Sequence, residues 1–201
     1  MLSNNPEYAK VKNKKYKINT DFRIAIECNK IAQDDEISDV ERALAIIYKL
    51  YGDEGLENSQ DWNKLLEIAI KYLNLERDKN TENEEPDMDF VEDIRYIRSS
   101  FIQDYKYNPY DMEYLHWYDF FNDLSNLSNS EFGNCCILNR IRNLRTFDVS
   151  QIKDPKEKNK IIRAKEQVAL KKKVKMTDKQ KKSQDEFYKL LGGDYKWMKL
   201  L

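Results

Sequence analysis

Trp62-Asn63-Lys64-Leu65-Leu66-Glu67-Ile68-Ala69-Ile70-Lys71-Tyr72-Leu73 decides the fold class. Trp62, Leu65, Leu66, Ala69 and Leu73 fall at i, i+3, i+4, i+7 and i+11, the spacing that lines one face of an α-helix. The same period continues upstream. Ser38-Asp39-Val40-Glu41 is a capping box, in which the serine hydroxyl and the glutamate each satisfy an orphan backbone donor. It opens a helix through Val40, Ala43, Leu44, Ile47 and Tyr51, with Gly52 where a left-handed C-terminal residue would fall. Before it, Thr20 caps a helix whose apolar residues are Ile24, Cys28 and Ile31.

Downstream, the stretch from Arg77 to Pro86 has almost no apolar residues and reads as a solvated linker. Helical spacing resumes at Phe90, Ile94, Ile97, Phe101 and Tyr105 and breaks at Asn108-Pro109. The segment from Tyr110 to Leu127 sets Tyr110, Tyr114, Trp117, Phe121 and Leu124 on one face, which predicts a central aromatic helix. Ser128-Asn129-Ser130-Glu131 reads as a second capping box, starting a helix with Ile137, Ile141 and Leu144 inward and Arg140, Arg142 and Arg145 exposed. Asp154-Pro155-Lys156-Glu157 joins a cap, a proline at the first helical position and a glutamate at the third, and so starts a basic helix. Strand evidence is limited to Tyr16-Lys17-Ile18, so the chain reads as all-α.

The expected architecture is about six to eight helices in a compact helical domain with a lysine-rich C-terminal helix and an apolar C-terminal hook. Residues 1–18 form an N-terminal segment, residues 19–152 the helical core with an acidic linker at 76–88, and residues 153–201 a basic extension. The 201-residue length fits this scale, and no internal repeat is apparent. Only 5 glycines and 4 prolines occur, which disfavours turn-rich β folds and glycine-lined phosphate sites.

The net charge of −1 hides a segregation. Glu76 to Asp93 holds nine acidic residues against Arg77 and Lys79, a net of −7, whereas Lys156 to Lys182 holds twelve basic residues against three acidic ones, a net of +9. Ten lysines of that basic block lie from Lys158 onward with no aromatic neighbour before Phe187, so stacking platforms and an arginine-led reading helix for nucleic acid are missing. A solvated helix face or a site for an acidic protein is the better reading; salt-sensitive binding of nucleic acid through Lys171, Lys172 and Lys173 is the alternative. The ending Tyr195-Lys196-Trp197-Met198-Lys199-Leu200-Leu201 is more apolar than a free tail, which makes Trp197, Met198 and Leu201 candidate partner-binding residues unless the tail docks on its own core.

Little in the chain suggests catalysis. His116 is the lone histidine and sits in Leu115-His116-Trp117-Tyr118, where a structural role is expected, as it is for Trp117, Phe121 and Phe101. Cys28, Cys135 and Cys136 show neither zinc spacing nor a disulfide framework and read as reduced thiols. No nucleotide-binding or nucleophile-elbow motif occurs, and carboxylate pairs such as Asp35/Glu36 and Glu84/Glu85 lie in polar stretches with nothing to split their acidities. The expectation is therefore a non-enzyme without catalytic residues, metal or cofactor. No apolar run approaches the roughly 18 residues of a membrane span, and Met1-Leu2-Ser3-Asn4-Asn5-Pro6 lacks a signal-peptide core, which together place the protein in the cytoplasm.

A family resemblance joins these signals. Asn19-Thr20-Asp21-Phe22-Arg23, then Asp93-Ile94 with Tyr96-Ile97 and Ser99-Ser100-Phe101, Asp104-Tyr105, and Leu115-His116-Trp117-Tyr118-Asp119-Phe120-Phe121 with Leu124 and Leu127 resemble motifs of the bacteriophage gene-product-fifteen family. Ile141-Arg142, Ile152-Lys153-Asp154 and the lysine-rich end continue the likeness. Tyr118 stands where a second tryptophan is common, and Tyr105-Lys106-Tyr107 replaces a Tyr-Gly pattern. The resemblance implies a helical protein of tail-morphogenesis cassettes in phages of low-GC Gram-positive bacteria. It would act like a tail assembly chaperone on the tape-measure protein or the major tail protein, with self-association, in the cytoplasm of the infected cell.

Overall fold

The computed structural model describes residues 5–34, 36–76, 86–129 and 135–171. Among these, eight α-helices and one two-stranded hairpin occur, so the chain is all-α in class. Its contacts fall into two units. The first holds the described residues up to 76 together with His116–Tyr118, and the second holds residues 86–115 and 119–171.

In the first unit, β1 (Tyr8–Val11) pairs antiparallel with β2 (Lys14–Lys17), with Tyr8 opposite Lys17 and Val11 opposite Lys14. Alternation turns Ala9, Val11 and Tyr16 inward and the lysines outward. Two four-residue, lysine-rich strands without a Gly or Pro turn give too short a period to read in sequence, and Lys12 supplies the left-handed turn residue at φ 53°. Asp61, buried beside the hairpin, accepts from Lys12 Nζ at 2.9 Å, Tyr16 Oη at 2.9 Å and Asn58 Nδ2 at 2.8 Å. These bonds, Lys12 first, hold the Asp61 carboxyl below its ordinary pKa.

Helices α1 (Phe22–Ala32), α2 (Asp39–Tyr51), the single turn α3 (Asp53–Leu56) and α4 (Trp62–Leu73) complete this unit. α2 packs against α1 and α4, and α4 also meets β1. The α2 capping box forms as its sequence predicts: Glu41 N–H donates to Ser38 Oγ at 3.1 Å, and Ser38 N–H donates to Glu41 Oε2 at 2.9 Å. Leu65, Leu66, Ala69 and Leu73 of α4 are buried on the expected face, joined by Tyr72. Gly52 ends α2 at φ 66°, ψ −161°, an extended left-handed geometry rather than the helical one expected, and open essentially to glycine alone. Gly55 is needed for a different reason, since a Cβ there would lie 2.8 Å from Tyr51 Cβ.

The start of α1 differs from the sequence reading. Asp21, not Thr20, caps it, with Asp21 Oδ1 accepting from Arg23 N–H at 2.9 Å. The buried face is Phe22, Ala25 and Cys28 rather than Ile24, Cys28 and Ile31, because the Phe22 ring at the first position pulls the whole stripe round by part of a turn.

The second unit contains α5 (Ile94–Tyr105), α7 (Ile137–Thr146) and α8 (Pro155–Val168), and most of α6 (Trp117–Ser125), whose opening residues belong to the first unit. α7 packs on α5 and α8 on α7. Ile97, Phe101, Phe120, Leu124, Leu127, Cys136 and Leu138 are its buried apolar residues. Phe101 and Phe120 stack with centroids 5.4 Å apart and planes 9° apart.

Three helix boundaries or faces differ from the sequence expectation. α6 is shorter than the expected Tyr110 to Leu127: Asn108 Oδ1 accepts from Tyr110 N–H to cap a 3-10 turn at Pro109–Asp111, and the helix begins only at Trp117. Its inward residues in this unit are Phe120 and Leu124, with Leu127 buried just past its end, while Tyr114 precedes the helix and is exposed. Ser128 is no helix cap; its N–H and Oγ donate to Asp104, and Cys136 opens α7 by accepting from Asn139 N–H at its Sγ. Ser130 and Glu131 lie outside the described residues. In α7, Leu138 is buried and Arg142 and Arg145 are turned inward, leaving Arg140 alone of the three arginines exposed. α8 starts as its sequence predicts, with Pro155 at its first position and Asp154 Oδ1 accepting from Lys156 N–H at 3.0 Å.

Candidate functional site

His116 carries the only imidazole, and its surroundings consume it structurally. It is 6% exposed, its backbone pairs with Asp21, and its Nδ1 accepts from Tyr118 N–H at 3.0 Å, capping α6. An accepting Nδ1 fixes the proton of the neutral ring on Nε2. His116 Nε2 and Tyr118 Oη are both buried without a hydrogen-bond partner among the described residues. Around them, Tyr118 stacks on Tyr72 at 5.3 Å, and both rings meet His116 edge-on. Burial, with Glu76 adding to it, pushes the Tyr118 phenol up to about 12. Trp117 donates its backbone N–H to Thr20 O at 2.8 Å and its Nε1–H to Leu73 O at 3.3 Å, pinning this turn onto α4.

The strongest electrostatic feature of the second unit is equally structural. Arg145 meets Asp93 in a bidentate pair at 2.6 and 2.8 Å, with their side chains 10% and 1% exposed. Arg145 Nη1 also donates to Asp87 O and Nε to Val168 O, while Arg142 Nε donates to Asp87 Oδ2 at 2.9 Å. One guanidinium thus ties the segment before α5 to α7 and to the end of α8. Ser100 Oγ accepts from Leu138 N–H, and Asn139 Nδ2 donates to Leu127 O, so these buried polar groups are engaged too. The signal in the sequence is that Leu138, Arg142 and Arg145 share a face at i, i+4 and i+7; Asp93 is the acid of matching burial.

Of the residues singled out in sequence, Phe101 and Trp117 are fully buried, His116 is buried and Phe121 half-buried. Trp197, Met198, Leu201, Lys172 and Lys173 lie outside the described residues. Lys171 is exposed and donates its backbone N–H to Glu92 at 3.2 Å. All three cysteines are free thiols: Cys28 and Cys136 are buried, Cys135 half-buried, and burial pushes Cys28 up to about 12. Among the described residues, no group of three His, Cys, Asp or Glu side chains can hold a metal ion, and no helix is long and apolar enough to cross a membrane.

Large apolar side chains also stand exposed. Val91, Ile94, Ile102, Met112, Tyr114 and Phe147 of the second unit are exposed, as are Tyr8 and Tyr48 of the first. Ile94 was expected inward; instead α5 buries Ile97, Ser100 and Phe101, because the buried Asp93 fixes the helix rotation from its first turn.

No curated protein and no solved structure matches the chain. A family model does, the one described as Bacteriophage Gp15 protein, over residues 4–170. That span takes in the Asp21–His116 pairing, the Phe101–Phe120 stack and the Asp93–Arg145 lock alike, and the chain belongs to the bacteriophage Gp15 protein family.

Proposed function

We propose that the protein is a non-enzymatic tail-morphogenesis factor, an assembly chaperone that covers the tape-measure protein, the major tail protein or both in the cytoplasm of the infected cell. Membership of a bacteriophage family supports a role in the phage. The observation that carries the rest is the division of labour among side chains: buried Asp61, Asp93, Arg42 and Asn139 are engaged in internal bonds, while large apolar side chains such as Val91, Ile102 and Phe147 stand in solvent. A tape-measure chain is long and helix-rich and exposes apolar stripes until tube subunits enclose it, so a soluble helical partner that binds and then leaves suits its assembly. The acidic residues around 76–93 and the basic residues around 156–182 support self-association through complementary potentials.

Co-expression with a tape-measure fragment and, separately, with the major tail protein tests this. A complex should co-purify with at least one of them, and it should weaken when Trp197, Met198 and Leu201 are changed to Ala. Failure with both, together with a salt-steep shift of DNA that vanishes when Lys171 to Lys182 are neutralised, would replace this function with nucleic-acid binding. Self-association should fall when salt rises from low to about 0.5 M, which sedimentation reads directly.

A further inference from the structure

We propose that the outer face of α5, where Val91, Ile94 and Ile102 stand exposed beside Arg95 and Arg98, docks a partner helix that carries carboxylates along an apolar stripe. This rests on the protein-binding role above and gives that role a surface and a chemistry. Ile97, Ser100 and Phe101 point α5 into its unit, and the row Ile94, Arg98 and Ile102, at i, i+4 and i+8, runs from the margin of that buried face out to the solvent side, with Arg95 and Ser99 next to it. Val91, 50% exposed, extends the line before the first turn, and Ile102, also 50% exposed, ends it.

The charges on the outward row of α5 itself are of one sign. Asp93 is consumed by Arg145, Asp104 accepts from Ser128, and Glu92 accepts from Lys171 N–H. Arg95 and Arg98 form no ion pair among the described residues; the Arg95 guanidinium lies 6.0 Å from the Tyr96 ring. The nearby acids thus serve the fold, and the outward arginines are left to meet carboxylates from elsewhere.

That charge pattern chooses among occupants. A second copy packed antiparallel on this face would bring Arg98 onto Arg98 at its midpoint, a like-charge contact. Nucleic acid would engage the arginines but leave three aliphatic side chains in water. An anionic lipid surface calls for a wider apolar face with aromatic anchors, and α5 turns its Phe101 and Ile97 into the core instead. A helix with aliphatic residues at i, i+4 and i+8 flanked by Glu or Asp satisfies both halves of the face.

Fluorescence anisotropy with the full chain tests the surface. The probes are a labelled 18-residue helical peptide with Leu at i, i+4 and i+8 flanked by Glu, its Glu→Lys counterpart, a labelled DNA duplex and vesicles containing phosphatidylglycerol. The Glu peptide should bind, Arg95→Glu/Arg98→Glu should weaken it at least about ten-fold and confer binding of the Lys peptide, and Ile102→Ser should weaken both interactions. All three substitutions are at exposed positions, and circular dichroism melts check that each variant folds. The proposal is overturned if the Glu peptide fails to bind, if the reversed variant holds it equally well, or if Arg95 and Arg98 matter for the duplex or the vesicles and not for the peptide. Charge reversal that leaves tape-measure co-purification intact would remove this surface and keep the chaperone role; peptide exchange without any tail-protein complex would do the opposite.

Discussion

The two units bury different kinds of side chain. The first fills its interior with aliphatic residues from facing helices, Ile46, Ile47 and Leu50 of α2 against Leu65, Leu66 and Ala69 of α4, and keeps its buried carboxylate at the margin, where Asp61 meets the hairpin. The second relies on fewer, more directional contacts: stacked Phe101 and Phe120, a hydroxyl and an amide in bonding register, and the bidentate Asp93–Arg145 pair. Aliphatic packing degrades in proportion to the volume removed, whereas a buried ion pair fails as a unit, because losing one partner strands the other charge. The second unit should therefore be the more brittle to single substitutions.

The largest expected effect tests that directly. Arg145→Leu leaves the Asp93 carboxylate, 1% exposed, without its partner and should cost about 3–5 kcal/mol in urea unfolding. Asp93→Leu in the same chain should restore a large part of that loss; if it restores none, the pair is not what holds the unit. Leu65→Ala in the first unit should cost about 3 kcal/mol from lost burial and the cavity left behind. Buried thiols report each unit separately, Cys28 in the first and Cys136 in the second. Iodoacetamide should label half-buried Cys135 first in the native protein, Leu65→Ala should speed labelling of Cys28, and Arg145→Leu should speed that of Cys136. Equal acceleration of both by either substitution would erase the distinction.

Acid sharpens the contrast from the first unit's side. The Lys12, Tyr16 and Asn58 donors favour ionised Asp61 and lower its pKa in the folded state. A carboxyl lowered on folding stabilises fully above its unfolded pKa, about 3.9, and that contribution is lost as pH falls through the folded value. Urea midpoints read by tryptophan fluorescence should fall below about pH 4, and Asp61→Asn, less stable at neutral pH, should show a shallower acid loss. An unchanged acid profile in Asp61→Asn would assign the loss to other carboxylates.

Legibility in the sequence followed the same division. α4 could be read almost residue by residue, because its burial follows apolar periodicity; in α2 the Ser38–Glu41 start and the inward Ala43, Ile47 and Tyr51 were legible, but the helix buries Arg42, Ile46 and Leu50 and leaves Val40 and Leu44 half-buried. The Asp154-Pro155 start of α8 was legible for the same reason, being local. Where a polar group was buried, the stripe misled: Arg145 counted as a solvent residue until Asp93 was seen beside it, 52 positions away in sequence, and Ile94 counted as core although the same pair rotates it outward. The hairpin escaped because its two strands are only four residues long and no Gly or Pro marks the turn between them. Of the candidate site, the burial of His116 was legible in the sequence but the α5 face was not, since that face exists only once the rotation of α5 is known.

The smallest effect belongs to the feature read most directly. Ser38→Ala removes the hydroxyl that accepts from Glu41 N–H at the start of α2, and a lost cap of this kind costs about 1 kcal/mol. The cap is exposed and local, so the penalty should appear in the urea midpoint and in Cys28 labelling without any change at Cys136. Glu41 still accepts from the residue 38 N–H at its Oε2 in that variant, so Glu41→Ala added to Ser38→Ala should cost more than Ser38→Ala alone. The Ser38 contacts hold the Glu41 carboxyl below its ordinary pKa, so the added penalty of Glu41→Ala should be present at neutral pH and vanish as Glu41 protonates in acid. A double variant no less stable than Ser38→Ala at neutral pH would mean that the hydroxyl alone caps the helix.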